Sequence, residues 1–331
     1  MLVHSHIRFA PLALSALLGL LVVTYPSAAD DTNRPSDLPT YRSNVSEVRV
    51  TFFATDQNNH ALATLTQSDF AVVDNELVVR DFRSFAHSDE TSLDVVALVD
   101  LSESVAPRFQ VAMSAVLQLV AREQSLPDDN IAVLSFGGTS GGMSAGLRPA
   151  ILCSSGCRAP DSASKLLAMK SGGTTPLFDA LTFAADFIAQ HRRAGARPVL
   201  ILFSDGDDTI SLHSAREALQ AVLDSGALIY SVDTGTSANQ ASYRTAGSAF
   251  LRRVSEATGG RYFTFSPRSS QQDGAAAVLD AVLQDLRASY VVTYDLPNHH
   301  DGFHALRLLP THNLNLTFHS RNGYLYERSL P

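Results

Sequence analysis

Three short polar stretches in this sequence carry oxygen ligands of the kind that bind a hard divalent cation. They are "DLSES" (100–104), "SGGTTPLFDAL" (171–181) and "SDGDD" (204–208). Mg²⁺ prefers six oxygen ligands, often including waters, at about 2.0–2.1 Å. The three stretches together predict one site of two carboxylates and three hydroxyls. Its candidate ligands are Asp100, Ser102, Ser104, a threonine from Thr174 or Thr175, and Asp205.

The spacing within "DLSES" suits convergence on a single ion. Alternate residues that leave the end of a strand point to the same side, so Asp100, Ser102 and Ser104 can face one point. If the hydroxyls bind directly and the acids act partly through water, the ion keeps much of its positive charge. It then has an open position for an acidic group of another molecule. Because nothing nearby presents an activated nucleophile, the predicted chemistry is capture rather than turnover.

The elements that must position these stretches are short apolar strands alternating with helices. The strand candidates lack inside–outside alternation, which predicts burial on both faces of a mostly parallel sheet. Ligands bind at the carboxyl ends of the strands in such doubly wound α/β folds. The predicted strands are 94–100, 130–136, 198–204, 226–234 and 261–265, and apolar residues recur at helical spacing over 109–120, 177–188 and 274–289.

Strand signals also precede and follow this α/β region. Residues 48–56 read as a strand and 69–85 as two strands around an Asp-Asn turn. We expect three further strands near the end of the chain to pair with them. The predicted organisation is a signal peptide (1–29), a linker (30–43), an N-terminal β segment (44–90), an α/β domain (91–290) and C-terminal β strands (291–331).

The three polar stretches resemble the metal-ion-dependent adhesion site of von Willebrand factor A (vWA) domains. "SDFAVVDNELVVRDFRSF" and "FHALRLLP…RNGYLYE" resemble the VWFA-related family first described in Acidobacteria. The resemblance covers roughly residues 45–328 and implies a Rossmann-like sheet, a Mg²⁺ ion (or Mn²⁺ or Ca²⁺), and a protein ligand offering Asp or Glu. It assigns the metal to Asp100, Ser102, Ser104, Thr175 and Asp205, with Thr174 as the rival of Thr175.

The composition and the N-terminal sequence indicate the class of ligand and the cellular compartment of this protein. A net charge of −8 over 331 residues, without a basic run, argues against nucleic-acid binding. A short apolar run and small residues before Ala29 predict a cleaved signal peptide, hence a periplasmic or secreted protein with no membrane span in the mature chain.

Cys153 and Cys157 are the only cysteines, and an oxidising compartment favours a local disulfide between them. They lie in 137–170, which we interpret as an inserted loop that shapes the binding face.

Taken singly, each stretch has a plainer interpretation, such as a helix cap or a turn. Two alternative functions also stand beside the adhesion hypothesis. One is an α/β hydrolase that uses Ser140 of "GTSGG" or a metal-bound water, although no helical pattern follows this serine. The other is an envelope scaffold with a purely structural metal. Asp207 and Asp208 are predicted to be solvated acids or to support the metal ligands indirectly, and Asp179 to be a helix N-terminal acid.

Overall fold

A computed structural model describes residues 47–88, 91–122, 129–138, 149–157, 159–235, 246–265 and 271–326. They belong to one compact unit, Val45–Pro331. Six α-helices occur among them: α1 (Phe109–Arg122), α2 (Pro160–Leu167), α3 (Leu177–His191), α4 (Ala215–Ser225), α5 (Ala246–Thr258) and α6 (Gln271–Arg287). The strands are β1 (Glu47–Thr55), β2 (Phe70–Asp74), β3 (Leu77–Val79), β4 (Ser84–His87), β5 (Leu93–Asp100), β6 (Asn130–Phe136), β7 (Ala150–Cys153), β8 (Arg197–Ser204), β9 (Leu228–Asp233), β10 (Tyr262–Thr264), β11 (Tyr290–Asp295), β12 (Gly302–Pro310), β13 (Thr317–Ser320) and β14 (Gly323–Tyr326).

The predicted doubly wound sheet is confirmed. Its strand order is β10-β9-β8-β5-β6-β7, and every neighbouring pair is parallel except β6 and β7. All eight residues of β5 are buried because successive side chains point to opposite faces and both faces are covered. Val95 and Val99 pack with α1 and α6 on one side. Val96 and Leu98 pack with α3, α4 and α5 on the other.

The stretch 137–170 has more regular structure than the predicted inserted loop. Strand β7 adds an antiparallel edge to the sheet, and helix α2 follows it. The predicted disulfide between Cys153 and Cys157 is present at the end of β7. Both cysteines are buried in the core beneath α1, so the bridge fixes the edge strand to the domain. Residues 139–148 of this stretch lie outside the described residues.

The terminal strands pair with each other, as the sequence led us to expect. Two antiparallel sheets, β13-β1-β11-β4 and β14-β12-β2-β3, enclose a separate apolar core. Phe52 of one sheet contacts Phe70 of the other, with 4.8 Å between ring centroids. We call this pair of sheets the β sandwich. The N-terminal β segment therefore depends on strands more than 200 residues away for its partners.

The pair of strands around a turn that was predicted within 69–85 is confirmed, but the range holds one strand more. It contains β2, β3 and the start of β4. β2 and β3 form a hairpin whose turn residues, Asn75 and Glu76, both have positive φ. Two left-handed residues match the turn type that suits a two-residue hairpin. β4 leaves this hairpin and pairs with β11 in the other sheet.

The predicted signal peptide (1–29) and linker (30–43) lie outside the described residues. Within the part of the chain that the structure describes, no helix has the length and apolar character needed to span a membrane.

Candidate functional site

The first polar stretch leaves the carboxyl end of β5, in the middle of the central sheet. Asp100 is the last residue of this strand and is buried. Its Oδ1 accepts a hydrogen bond of 2.8 Å from the backbone N–H of Ser102. The hydroxyl oxygens of Ser102 and Ser104 lie 3.1 Å apart, with Ser102 buried and Ser104 exposed. The two serine hydroxyls therefore face the same point, as the alternate spacing predicts.

The second stretch lies against the first through backbone hydrogen bonds. The N–H of Gly172 donates to the carbonyl of Leu101 over 2.7 Å, and the N–H of Glu103 donates to the carbonyl of Gly173 over 3.2 Å. Thr175 is buried just before α3, whereas Thr174 is exposed. This burial places Thr175 on the inner side of the loop, two residues before the helix begins.

The third stretch leaves the carboxyl end of β8 and closes on both of the others. The Ser204 hydroxyl donates a hydrogen bond of 2.6 Å to Oδ2 of Asp100. Asp205 follows directly and is buried. The backbone N–H of Thr209 donates to the carbonyl of Thr175, and the N–H of Thr175 donates to Oγ1 of Thr209, each over 2.9 Å. All three predicted loops thus meet at one edge of the sheet.

Residues 205–213 also cap the N-terminus of α3. The Ser211 hydroxyl accepts hydrogen bonds from the backbone N–H groups of Phe178 and Asp179, and Oδ1 of Asp208 accepts another from Phe178. The Asp179 carboxylate in turn accepts the N–H groups of Leu212 and His213. The first N–H groups of a helix lack partners within the helix, so this loop supplies them. Asp208 and Asp179 therefore hold the third loop in place. Asp179 lies in the first turn of α3 as predicted, but its contact with this loop was not predicted.

The carboxylates of this edge are close enough to influence one another. Burial raises the pKa of Asp100 to about 6, against the lowering effect of the hydrogen bonds from Ser204 and Ser102, and Asp205 raises it further. The pKa of Asp207 is also raised, first by burial and then by Asp205 and Asp233. Concentrated negative charge of this kind favours a cation or a proton.

Asp233 was not among the predicted site residues, although it ends a predicted strand. It is buried at the end of β9, and its carboxylate accepts hydrogen bonds from Ser248, Tyr262 and the N–H of Gly235. An acid at the carboxyl end of an apolar strand was the signal that could have identified it. Both of its carboxylate oxygens are engaged by these donors, and its charge contributes to the raised pKa of Asp207.

Ser140, the candidate nucleophile of the hydrolase alternative, lies outside the described residues. His299 and His300 lie away from this edge of the sheet. His300 uses its backbone carbonyl to accept a hydrogen bond from His304, and His299 contacts Tyr326, both in the β sandwich. Over the described ranges, no group of three or more His, Cys, Asp or Glu side chains is arranged to hold a metal ion. The site at the sheet edge has instead two predicted acids with hydroxyl groups around them.

Comparison with known proteins places the α/β region in one family. Among solved structures, the chain is similar to the SpRpn10 VWA domain, at 12% identity and a TM-score of 0.41, over 56% of this chain and 95% of that one. It is also similar to BatB from Bacteroides thetaiotaomicron, a conserved hypothetical protein, at 15% identity and a TM-score of 0.42, over 58% and 98%. No curated protein sequence matches significantly. Residues 94–273, more than half of the chain, match the family model of the von Willebrand factor type A domain, so the chain belongs to that family.

Proposed function

We propose that this protein is an exported adhesion module that captures an acidic side chain of a partner protein on a divalent cation, most simply Mg²⁺. Domains of this family are generally non-enzymatic protein-interaction modules. The observation that carries the proposal is that the three loops meet at one edge of the sheet: the third loop donates a hydrogen bond to the Asp100 carboxylate, the second is bonded to the first through the backbone, and the Ser102 and Ser104 hydroxyls lie together there.

The donor atoms fit such an ion. Adjacent oxygens around an octahedral Mg²⁺ with bonds of about 2.0–2.1 Å lie about 3 Å apart. The hydroxyl oxygens of Ser102 and Ser104 lie 3.1 Å apart. We propose that these hydroxyls and Thr175 hold the ion, and that Asp100 and Asp205 balance its charge. When bound, the ion would supply an open coordination position for a carboxylate.

The surroundings of the site suit a protein partner with an apolar residue beside its acid. Leu212 is 88% exposed and Ile210 is 43% exposed on the third loop. The loop is held by the hydrogen bonds of Asp208 and Asp179, so both side chains are presented from a fixed backbone. Burying these exposed apolar side chains against a partner would remove apolar surface from water and so favour binding.

Export of the protein is part of this proposal. The disulfide between Cys153 and Cys157 supports it, because disulfides persist in oxidising compartments. Periplasmic or secreted material from the host should therefore contain the chain with its N-terminus near residue 30. N-terminal sequencing of that material tests this part of the proposal alone.

Isothermal titration with MgCl₂ tests the ion site directly. Asp100→Ala should weaken Mg²⁺ binding by more than tenfold, because it removes a buried negative charge. Ser104→Ala should weaken it by about tenfold, and the exposed position of Ser104 leaves folding unaffected. Asp186→Ala, on the exposed face of α3, is the matched control and should bind like the wild type. Identical heats for the wild type and both site variants would end the proposal.

Capture of the partner is tested by cross-linking in the host's envelope fraction with Mg²⁺ or with EDTA. The wild type should form a specific adduct with Mg²⁺ alone. Leu212→Ser should keep its Mg²⁺ affinity and lose adduct about 5- to 30-fold, as expected for one contributing apolar contact. An adduct that forms equally with chelator would favour the scaffold with a structural metal.

A further inference from the structure

A cavity lies at the edge of the central sheet opposite the candidate metal site. It has a volume of about 80 Å³ and lies between the β sandwich and the α/β domain. β1 and the residue that follows β13 contribute one wall. The beginnings of β8 and β9 and the ends of α4 and α5 contribute the other. The lining residues are Arg49, Thr51, Arg197, Leu223, Gly226, Ala227, Leu228, Thr258 and Arg321.

Three of the lining residues are arginines and none is an acid. Arg197 is buried, and its guanidinium donates to the carbonyls of Leu286 and Ser88 and to the Ser88 hydroxyl, all of them neutral acceptors. Arg321 donates one long hydrogen bond of 3.5 Å to the carbonyl of Leu223. Its Nε–H is buried and lacks an acceptor among the described residues.

This arrangement is costly unless an anion joins it. Burial lowers the pKa of Arg197; Tyr230 opposes this effect, and the nearby charge of Arg49 adds to it. Burial also lowers the pKa of Arg321, which the exposed Asp224 on α4 only partly offsets. Asp224 does not line the cavity. Buried charges are normally paired, because an isolated one loses its hydration without compensation.

From the three arginines that line this single cavity, two of them held within it and Arg49 at its exposed side, we propose a binding site for an oxyanion of the size of a phosphate group. Guanidinium groups match phosphate oxygens in pairs, so three of them around one ion make a specific site. About 10–15 Å³ of such volume holds one water molecule, so about 80 Å³ accommodates a small polyatomic ion.

Such an ion would join the two parts of the molecule. Arg49 and Arg321 come from the β sandwich, and Arg197 comes from β8 of the α/β domain. A phosphate group held by all three would bridge the two apolar cores by charge-assisted hydrogen bonds. The site is separate from the candidate metal site, and it stands whether or not the metal proposal does.

Thermal unfolding of the full chain in inorganic phosphate, compared with chloride at matched ionic strength, tests the proposal. The wild type should gain several degrees in Tm in phosphate, because a ligand that binds only the folded state stabilises it. Arg49→Met should lose this gain and bind phosphate at least tenfold more weakly by isothermal titration. Arg307→Met, which removes an exposed arginine of β12, should keep the full gain.

Arg49→Glu separates the loss of a site from a loss of folding. The new carboxylate should pair with Arg197 and Arg321, so this variant should be at least as stable as the wild type in chloride and should not respond to phosphate. Glycerol phosphate distinguishes a phosphate monoester, which should then shift Tm more than the free ion, from the free ion itself. Equal Tm values for the wild type in phosphate and chloride, or an unchanged phosphate response in Arg49→Met, would overturn the inference.

Discussion

Ser204 couples two of the site's loops through a single hydroxyl group. It precedes Asp205 in the third loop, and its hydroxyl donates a hydrogen bond to Oδ2 of Asp100 in the first loop. It also accepts the backbone N–H of Gly206 over 3.0 Å. The hydroxyl therefore orients a carboxylate that we propose to balance the charge of the ion, without itself being a predicted ligand. Groups that orient metal-site carboxylates in this way tune metal affinity.

Ser204→Ala should lower Mg²⁺ affinity by about 10- to 100-fold, because the Asp100 carboxylate loses its fixed orientation. Isothermal titration with MgCl₂ measures the effect. Ser225→Ala is a suitable control, because Ser225 is also buried but its hydroxyl donates to Val222 at the end of α4. If the two variants bound Mg²⁺ equally well, Ser204 would have no part in the site.

At the scale of elements, the third loop depends on a close approach to α5. Gly206 has φ of +83°, and a Cβ there would lie 2.3 Å from the backbone oxygen of Gly247 in the first turn of α5. Only glycine fits both the left-handed backbone and the contact. The contact helps to fix the loop that carries Asp205 and that caps α3.

Gly206→Ala should lower the free energy of unfolding by about 2–5 kcal/mol, because the left-handed backbone costs about 1–2 kcal/mol and overpacking about 1–3 kcal/mol. Gly195→Ala isolates the first of these costs. Gly195 has φ of +81° and no atom within 4 Å of the added Cβ, so this variant should lose about 1–2 kcal/mol. Urea unfolding measures both losses of unfolding free energy. Equal losses would mean that the contact of Gly206 with α5 does not contribute to stability.

At the scale of the whole molecule, the β sandwich and the α/β domain meet around Arg261. Its guanidinium forms an ion pair of 3.1 Å with Asp285 of α6 and donates to the carbonyl of Asn59 beyond β1. Nearby, His319 of β13 stacks on Phe53 and lies 3.0 Å from Oγ1 of Thr55. The junction thus contains titratable groups, and the stability of the molecule should depend on pH.

Burial lowers the pKa of His319 to about 4, and Arg261 adds to this effect. The unfolded chain binds a proton at about pH 6.5, so the contribution of His319 to stability is present above that pH and is lost as the pH falls toward 4. Burial raises the pKa of Asp285 to about 7, although Arg261 opposes this effect. Protonation of Asp285 therefore favours the folded state as the pH falls over the same range, which is opposite to the effect of His319. The effect of His319 must therefore be measured as a difference between variants.

Relative to His319→Phe, the wild type should lose about 1–2 kcal/mol of unfolding free energy between pH 7.5 and pH 5. The phenylalanine keeps the aromatic contact with Phe53 and cannot be protonated. Urea denaturation of both proteins at the two pH values provides the comparison. A constant difference between them would show that His319 titrates normally in the folded protein.

The sequence determined the site's residue types, the buried strands and the family. The runs 94–100, 130–136 and 198–204 identified parallel strands because a sheet covered on both faces leaves no alternation in its sequence. The loops at their carboxyl ends predicted the candidate ligands, because strand geometry alone brings those ends to one edge. The disulfide followed from the only two cysteines.

Tertiary structure alone decided the contacts between residues distant in the chain. The link from Ser204 to Asp100 spans 104 residues, and the cap of α3 comes from residues about 30 positions later. Sequence periodicity reports which face of an element is buried, not which distant polar group covers its end. The arginine cavity is the clearest case, because Arg49, Arg197 and Arg321 share no motif and meet only when the terminal strands pair.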